Sequence, residues 1–369
     1  MRRALLRWYG RNRRDLPWRR TRDPYAIWVS EAMLQQTRVE TVIPYYERFL
    51  ERFPDVHALA SADLDDVLGQ WAGLGYYGRA RNLRAAARVV VDEHGGRIPA
   101  DADSLRRLPG VGRYTAGAVA SIAFDRPEPV LDGNVRRVLA RLLGMRADVD
   151  RREVAERLWG HAAELAAGPR PGDLNQALME LGATVCTPRA PRCPACPLAR
   201  RCAARRAGDP EAIPARAPRR ALPEVGAVAC WVVRGGRALV VRRPPRGLMG
   251  GLWELPGDEL SRGERPAAGV RRALRERVAL DVERVRRAGS VDHGFSHRLL
   301  RLHVYRCEGA RGRVRLRGPD AHRWLAPGRL TELPQATLTR KALALLLGDG
   351  PRILTNTSDA GITQAHSWS

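Results

Sequence analysis

The sequence predicts a multidomain protein in which an all-α half is followed by an α+β half. Three observations carry that prediction. Up to about residue 203 apolar residues recur at three- and four-residue spacing, the pattern of a helix with one buried face. From about 225 the runs are shorter, β-rich and separated by Gly/Pro turns. Between them, residues 204–224 carry five prolines or glycines and many arginines but no periodic apolar face, which reads as a linker. The 369 residues, 44% hydrophobic and 28% charged, suffice for two packed cores rather than one large one.

The elements follow in order. The start, "MRRALLRWYGRNRRDLPW", has charges on both sides of a three-residue apolar patch and no long apolar region, which argues against a secretory signal. No run of about 18 apolar residues exists to span a bilayer, so the expected location is the cytoplasm. Asp23-Pro24 opens a helix, with Asp as N-cap and Pro in its first turn. Glu31 is the only acid between Pro24 and Glu40, set among Ile27, Trp28, Val29, Ala32, Met33 and Leu34. On these residues alone it reads as a solvated edge of the helix; burial would instead raise its pKa and keep a proton available near neutral pH, which suits a general acid.

"LDDVLGQWAGL" and "ARNLRAAARVVVDEHG" continue the helical pattern, and "LPGVGRYTAGAVASIAF" (108–124) interrupts it with a tight turn. Gly110 and Gly112 permit backbone conformations that other residues resist, and the helix from about Arg113 offers unpaired amides to an anion. The turn lacks the Gly-Lys-Ser/Thr ending of a nucleotide-phosphate loop, so a DNA backbone phosphate is the better ligand. Asp132 in "VLDGNVRRVLARLL" precedes another helix and in isolation reads as no more than its N-cap; a carboxylate held there could also stay ionised, because a helix start favours negative charge. Two acids in contrasting environments form a recognisable catalytic pairing.

Cys186, Cys193, Cys196 and Cys202 fall within 17 residues, interleaved with four prolines. That loop is too short and kinked for four independent core thiols and reads as a metal site; zinc and a [4Fe–4S] cluster both accept four thiolates. Cys230 and Cys307 lie in strand-like runs as buried thiols. In the second half, "VGAVACWVV", "RALVVRR", "LLRLHVYRCE" and "RVRLRG" read as β-rich runs and "PAAGVRRALRERVAL" as a helix. The tail over 347–369 is polar and aperiodic, and is expected to be disordered.

Charge points to the partner. Sixty-four basic against 40 acidic side chains leave a net charge of +24, which attracts a polyanion, nucleic acid first. Lys341 is the only lysine, as a GC-rich genome would produce; that bias explains Arg over Lys but not the excess of base over acid.

"WVSEAMLQQT", "LPGVGRYTAGAVAS", "VLDGNVRRVLAR", "NQALMELGATVC" and the cysteine loop, in this order, resemble the MutY-type adenine DNA glycosylases of the helix-hairpin-helix superfamily. The resemblance runs from about residue 3 to 345. It implies a helix-hairpin-helix glycosylase domain over 1–203, with its hairpin at 108–121 and a [4Fe–4S] loop at 186–202. A Nudix-like domain that recognises 8-oxoguanine would follow over 225–346. The implied partner is double-stranded DNA with adenine opposite 8-oxoguanine or G, bound by a monomer in the bacterial nucleoid, and the flipped adenine is removed.

By the same resemblance, Glu31 protonates adenine at N7, Asp132 stabilises the sugar cation, and Tyr114 and Asn134 assist. Trp18, Arg19, Leu34 and Gln176 correspond to the adenine pocket, where some relatives carry Glu in place of Gln176. Gln36 and Tyr76 match residues that wedge into the duplex, and Thr37 and Leu74 match contacts to the opposite lesion. Gly110, Val111 and Gly112 match the hairpin that grips the backbone, and the loop His293-Phe295-Ser296-His297 matches the 8-oxoguanine reader, with Ser296 as direct contact.

Two departures sharpen the expectation. The related endonuclease III class cuts the strand through a Schiff base, which requires an amine; here Tyr114 stands in the hairpin and no lysine precedes Lys341, so a monofunctional enzyme is expected. A Nudix hydrolase helix would read Arg-Glu-x-x-Glu-Glu, whereas residues 271–276 read "RRALRE", with Arg272 and Arg275 in place of metal-binding carboxylates. Magnesium-dependent nucleotide hydrolysis is therefore not expected.

Overall fold

The computed structural model describes residues 1–215 and 221–348. The expected disordered tail lies, beyond Gly348, outside the described residues. The described chain divides into two compact units: 1–61 with 82–215, and 62–81 with 221–348. The first segment is thus not continuous, because 62–81 belongs with the C-terminal unit.

The helices up to the linker are α1 (Arg2–Asn12), α2 (Pro24–Leu34), α3 (Val39–Arg52), α4 (Val56–Ser61), α5 (Leu64–Trp71), α6 (Gly78–His94), α7 (Ala102–Arg107), α8 (Arg113–Phe124), α9 (Gly133–Leu143), α10 (Arg152–Ala166), α11 (Pro171–Thr184) and α12 (Ala203–Arg206). Of these α5 and the start of α6 lie in the second unit. In the first unit, α2 packs on α8 and α3, while α11 packs on α1, α8 and α9.

Small side chains make that packing close. A Cβ on Gly182 of α11 would stand 2.6 Å from Asn134 Cβ, so glycine there lets α11 press against the start of α9. Part of the expected linker is structured on this unit: Ile213 is buried and its carbonyl accepts from Arg141 Nε at 2.9 Å.

Besides α5 and the start of α6, the second unit is a mixed sheet flanked by helices. Its strands are β1 (Glu224–Arg234), β2 (Arg237–Arg242), β3 (Trp253–Glu254), β4 (Gly257–Glu259), β5 (Arg284–Gly294), β6 (Leu299–Glu308) and β7 (Ala321–Leu325). The order is β3-β2-β1-β6-β5, with β4 paired to β1 and β7 to β2. β1 and β6 run parallel, and the other pairs are antiparallel. Helix α13 (Pro266–Val278) packs on β1 and β4, and α14 (Thr337–Leu347) on β5. Apolar cores fill both faces: Trp231, Val240, Trp253 and Val304 on one, Val228, Val232, Leu274 and Leu280 on the other.

One expected strand is absent. "RVRLRG" is irregular, because Arg315 N–H and Arg317 N–H donate to the carbonyls of Val278 and Arg277 at the end of α13 instead of joining a ladder. The segment 62–81 is bound into this unit by Tyr77 Oη donating to the Gln335 carbonyl at 3.1 Å and Arg81 Nη1 donating to the Gly250 carbonyl at 2.6 Å.

Candidate active site

Asp23 caps α2 by accepting from the amides of Tyr25 and Ala26, and the helix behind it is almost wholly buried because its apolar residues surround it rather than forming a stripe. Glu31 therefore has only 5% of its surface exposed. Burial pushes its pKa up to about 7; the negative charge of Asp132 adds to that, while a hydrogen bond from Tyr114 and the Arg19 cation oppose it. Tyr114, in the first turn of α8, donates its O–H to Glu31 Oε2 at 2.7 Å. Its own pKa is raised well above normal, chiefly by burial, so it remains a neutral donor.

Asp132 is the N-cap of α9, accepting from Val135 N–H at 2.7 Å and from Asn134 Nδ2 at 3.0 Å. Arg137 in turn donates to Asn134 Oδ1 at 2.8 Å, which fixes the amide's orientation. Asp132 thus caps α9 as the sequence suggested. Its pKa is raised by burial, which outweighs the two hydrogen bonds and Arg137. Both carboxyls are thus pushed upward.

The expected base-pocket residues gather in the same unit. Trp18 is buried edge-on against Tyr46, Leu34 ends α2 half-buried, and Tyr9 Oη donates to Gln176 Oε1 at 3.0 Å. Arg19 donates to Glu180 Oε2 at 2.8 Å, as does Arg14 at 2.9 Å. Burial alone would raise Glu180, but the two guanidiniums overcome it and hold the carboxylate at about 2. Glu180, Arg14 and Arg137 were not singled out in the sequence. The available signal was a lone acid in the apolar run "ALMELGA".

The hairpin joins α7 to α8 through a turn in which Val111 is buried while Gly110 and Gly112 are exposed. Gly110 has φ +74°, and a Cβ there would lie 2.5 Å from Asn82 Cβ, so both conformation and space call for glycine. No side chain caps α8, which leaves its first amides available.

Gln36 and Thr37 follow α2 in this unit; Leu74, Tyr76, Phe295, Ser296 and His297 lie in the second. Gln36 and Tyr76 are both exposed at positive φ, 58° and 47°. Arg79 braces the Tyr76 turn, donating to the carbonyls of Leu74 and Gly75 and lying over the rings of Trp71 and Tyr76. The loop between β5 and β6 closes by Phe295 N–H donating to the Arg298 carbonyl; His293 packs edge-on against Phe295, while Ser296 and His297 face outward.

The four loop cysteines lie close enough that Cys186, Cys193 and Cys202 each raise the pKa of Cys196, after burial, to about 11. Arg141, itself buried, donates to Cys186 Sγ at 3.3 Å, and its carbonyl lies 3.4 Å from Cys202 Sγ. Among the described residues no three His, Cys, Asp or Glu side chains converge as a single-ion site. No described helix is long and apolar enough to cross a membrane.

Residues 29–164 match the model of the HhH-GPD superfamily base excision DNA repair proteins, and 228–345 match the NUDIX domain. The chain is 38% identical over 409 residues to the adenine DNA glycosylase of Homo sapiens, covering 94% of this chain and 74% of that one. The chain belongs to the adenine DNA glycosylase family. The Rattus norvegicus member is 41% identical over 82% of this chain and 69% of its own. A solved thermostable thymine-DNA glycosylase aligns at TM-score 0.50 and 32% identity, over 55% of this chain and 93% of that structure. This family member joins a helical HhH-GPD unit to a Nudix-like α+β unit and is a base-excision DNA glycosylase.

Proposed function

We propose that the enzyme removes adenine paired with 8-oxoguanine, or with G, from double-stranded DNA by hydrolysing the N-glycosidic bond. The observation that carries this reading is a buried carboxyl, Glu31, whose pKa near 7 leaves it substantially protonated at neutral pH beside Tyr114 and Asp132. Glu31 gives its proton to N7 of the extruded base, the glycosidic electron pair leaves with the adenine, and Asp132 in its ionised form stabilises the sugar cation until water adds. Asn134 holds Asp132, and Trp18, Arg19, Leu34 and Gln176 line the base pocket.

The α8 amides behind Gly110, Val111 and Gly112 take a backbone phosphate. Gln36 and Tyr76, held outward by left-handed backbone that few such residues adopt, fill the gap in the duplex, with Thr37 and Leu74 on the opposite base. The second unit reads 8-oxoguanine through Phe295, Ser296 and His297.

Cys186, Cys193, Cys196 and Cys202 suit a [4Fe–4S] cluster: the thiols interact electrostatically, and the buried Arg141 guanidinium offsets their negative charge as thiolates. When bound, the cluster contributes a structural or DNA-sensing role and no bond-breaking step. The protein acts as a monomer on cytoplasmic, nucleoid DNA.

Glu31→Gln tests the reading. The variant is expected to bind an A:8-oxoguanine duplex as tightly as the parent and to release adenine at least about a hundredfold more slowly; undiminished turnover would remove Glu31 from the reaction. The parent's product is an intact abasic strand, since the helical unit contains no lysine side chain to form a Schiff base.

A further inference from the structure

The buried carboxylate that the excision chemistry leaves unused is Glu180, one turn after Gln176 on α11. Its side chain is wholly inaccessible. Oε1 accepts from the Arg14 backbone N–H at 3.0 Å and from Arg14 Nε at 2.9 Å; Oε2 accepts from Arg14 Nη2 at 2.9 Å and Arg19 Nη2 at 2.8 Å. Arg19 also donates to the Arg14 carbonyl at 3.1 Å and lies 5.5 Å above the Tyr9 ring, whose hydroxyl holds Gln176. One carboxylate thereby ties the segment after α1 to α11. Of the two guanidiniums Arg19 is the dry one, with 9% of its side chain exposed against 35% for Arg14.

A dry cation beside a general acid works against it, because a nearby positive charge favours the carboxylate over the acid. Paired with a carboxylate, the same cation presents a dipole whose field decays faster with distance than that of a bare charge. We infer that Glu180 is a positioning residue for excision: it pins Arg19 in the pocket wall and offsets part of its charge, so that Glu31 keeps its proton. This rests on the reading of Glu31 as general acid.

The groups acting on Glu31 are Tyr114 from α8, Asp132 from the turn before α9 and Arg19 from the 3-10 turn Pro17–Arg19. Along α3, the other helix packed on α2, the buried Tyr46 has its pKa pushed up to about 12 by burial and stays neutral. Arg19 is thus the cation among them, and Glu180 is its acidic partner.

The test is the pH dependence of single-turnover adenine release from an A:8-oxoguanine duplex, using the full chain. Glu180→Gln is expected to move the basic limb to lower pH, costing about tenfold at pH 8 for each pH unit of displacement, while the rate near pH 5.5 stays within about twofold. Glu180→Asp keeps the charge and returns the limb toward the parent's position. A limb that does not move in Glu180→Gln, whether the rate falls equally at every pH or not at all, overturns the inference. Should Glu180→Gln not fold, Arg19→Gln carries the test: its limb must move to higher pH, and an unmoved limb refutes the role. Glu31→Gln, run alongside, separates the two ideas, since retained turnover there sinks the general acid, whereas its loss with an unmoved Glu180→Gln limb sinks only the charge balance.

Discussion

A carboxyl that must carry a proton near neutrality is a poor buried group once the pH rises above it. Glu31 has its folded-state pKa raised from 4.5 to about 7. A raised acid contributes stability that is fully present below the unfolded value and lost as pH climbs through the folded one. Between pH 4.5 and 7 the unfolded chain ionises Glu31 freely while the folded chain resists, and the accumulated cost is about 3 kcal/mol. Glu31→Gln has no charge to resist, so it is expected to be more stable than the parent by up to about 3 kcal/mol at pH 8, with the gap closing toward pH 4.5, as measured by denaturant unfolding at each pH. A variant no more stable at pH 8 would show that the carboxyl is not desolvated. A single acid among apolar residues left Glu31 open between a solvated helix edge and a buried acid, and the family resemblance decided between them. Glu180 has the same signature and the opposite fate, its pKa pulled down to about 2, because Arg14 and Arg19 reach it from 166 and 161 residues away. Sequence marks an acid in an apolar run; it does not show whether that acid is buried or which partner meets it there.

At the scale of elements, what could be read was whatever local chemistry dictates. The caps Asp23 and Asp132 start α2 and α9, and the glycine turn at 110–112 starts α8. "RVRLRG" has strand composition, yet its amides are taken by the end of α13, an alternative that no local pattern displays. Helix α13 was legible, and the consequence of its altered residues becomes clear only in three dimensions. Arg272 donates to Glu264 at 2.9 Å, to Asp258 at 3.2 Å, to Glu276 at 3.1 Å and to the Glu259 carbonyl at 2.7 Å, so a guanidinium occupies the centre of an oxygen-rich cluster where a metal ion would otherwise sit among carboxylates. Arg277 takes the other side of Asp258. Two fixed cations offset most of the negative charge with which these three acids could strip water from magnesium, which gives up its hydration reluctantly. The expected outcome is no magnesium-dependent phosphate release from 8-oxo-dGTP, and no change in the unfolding temperature on adding millimolar magnesium. Turnover that vanishes with a chelator would refute it.

For the whole molecule, composition announced two units, but the exchange of 62–81 into the second was hidden. Its ties, Tyr77 to Gln335 and Arg81 to Gly250, span 258 and 169 residues, and they involve backbone carbonyls that any sequence would supply. The charge of +24 was visible from the start and has the broadest consequence. Each phosphate neutralised by an arginine releases a condensed counterion, so the logarithm of affinity falls by about 0.9 per phosphate for each decade of salt. With six to ten such contacts, raising salt from 50 to 200 mM is expected to weaken binding by about 10³- to 10⁵-fold. The same slope should hold for an undamaged duplex, because phosphates are common to both; recognition of adenine and of its opposite base should appear as a vertical offset between two parallel lines. Fluorescence anisotropy titrations of the Glu31→Gln variant, which binds without cutting, measure both lines on intact substrate. A flat salt dependence would mean that the excess arginines face away from the DNA, and lines of clearly different slope would mean that lesion recognition itself recruits further phosphates.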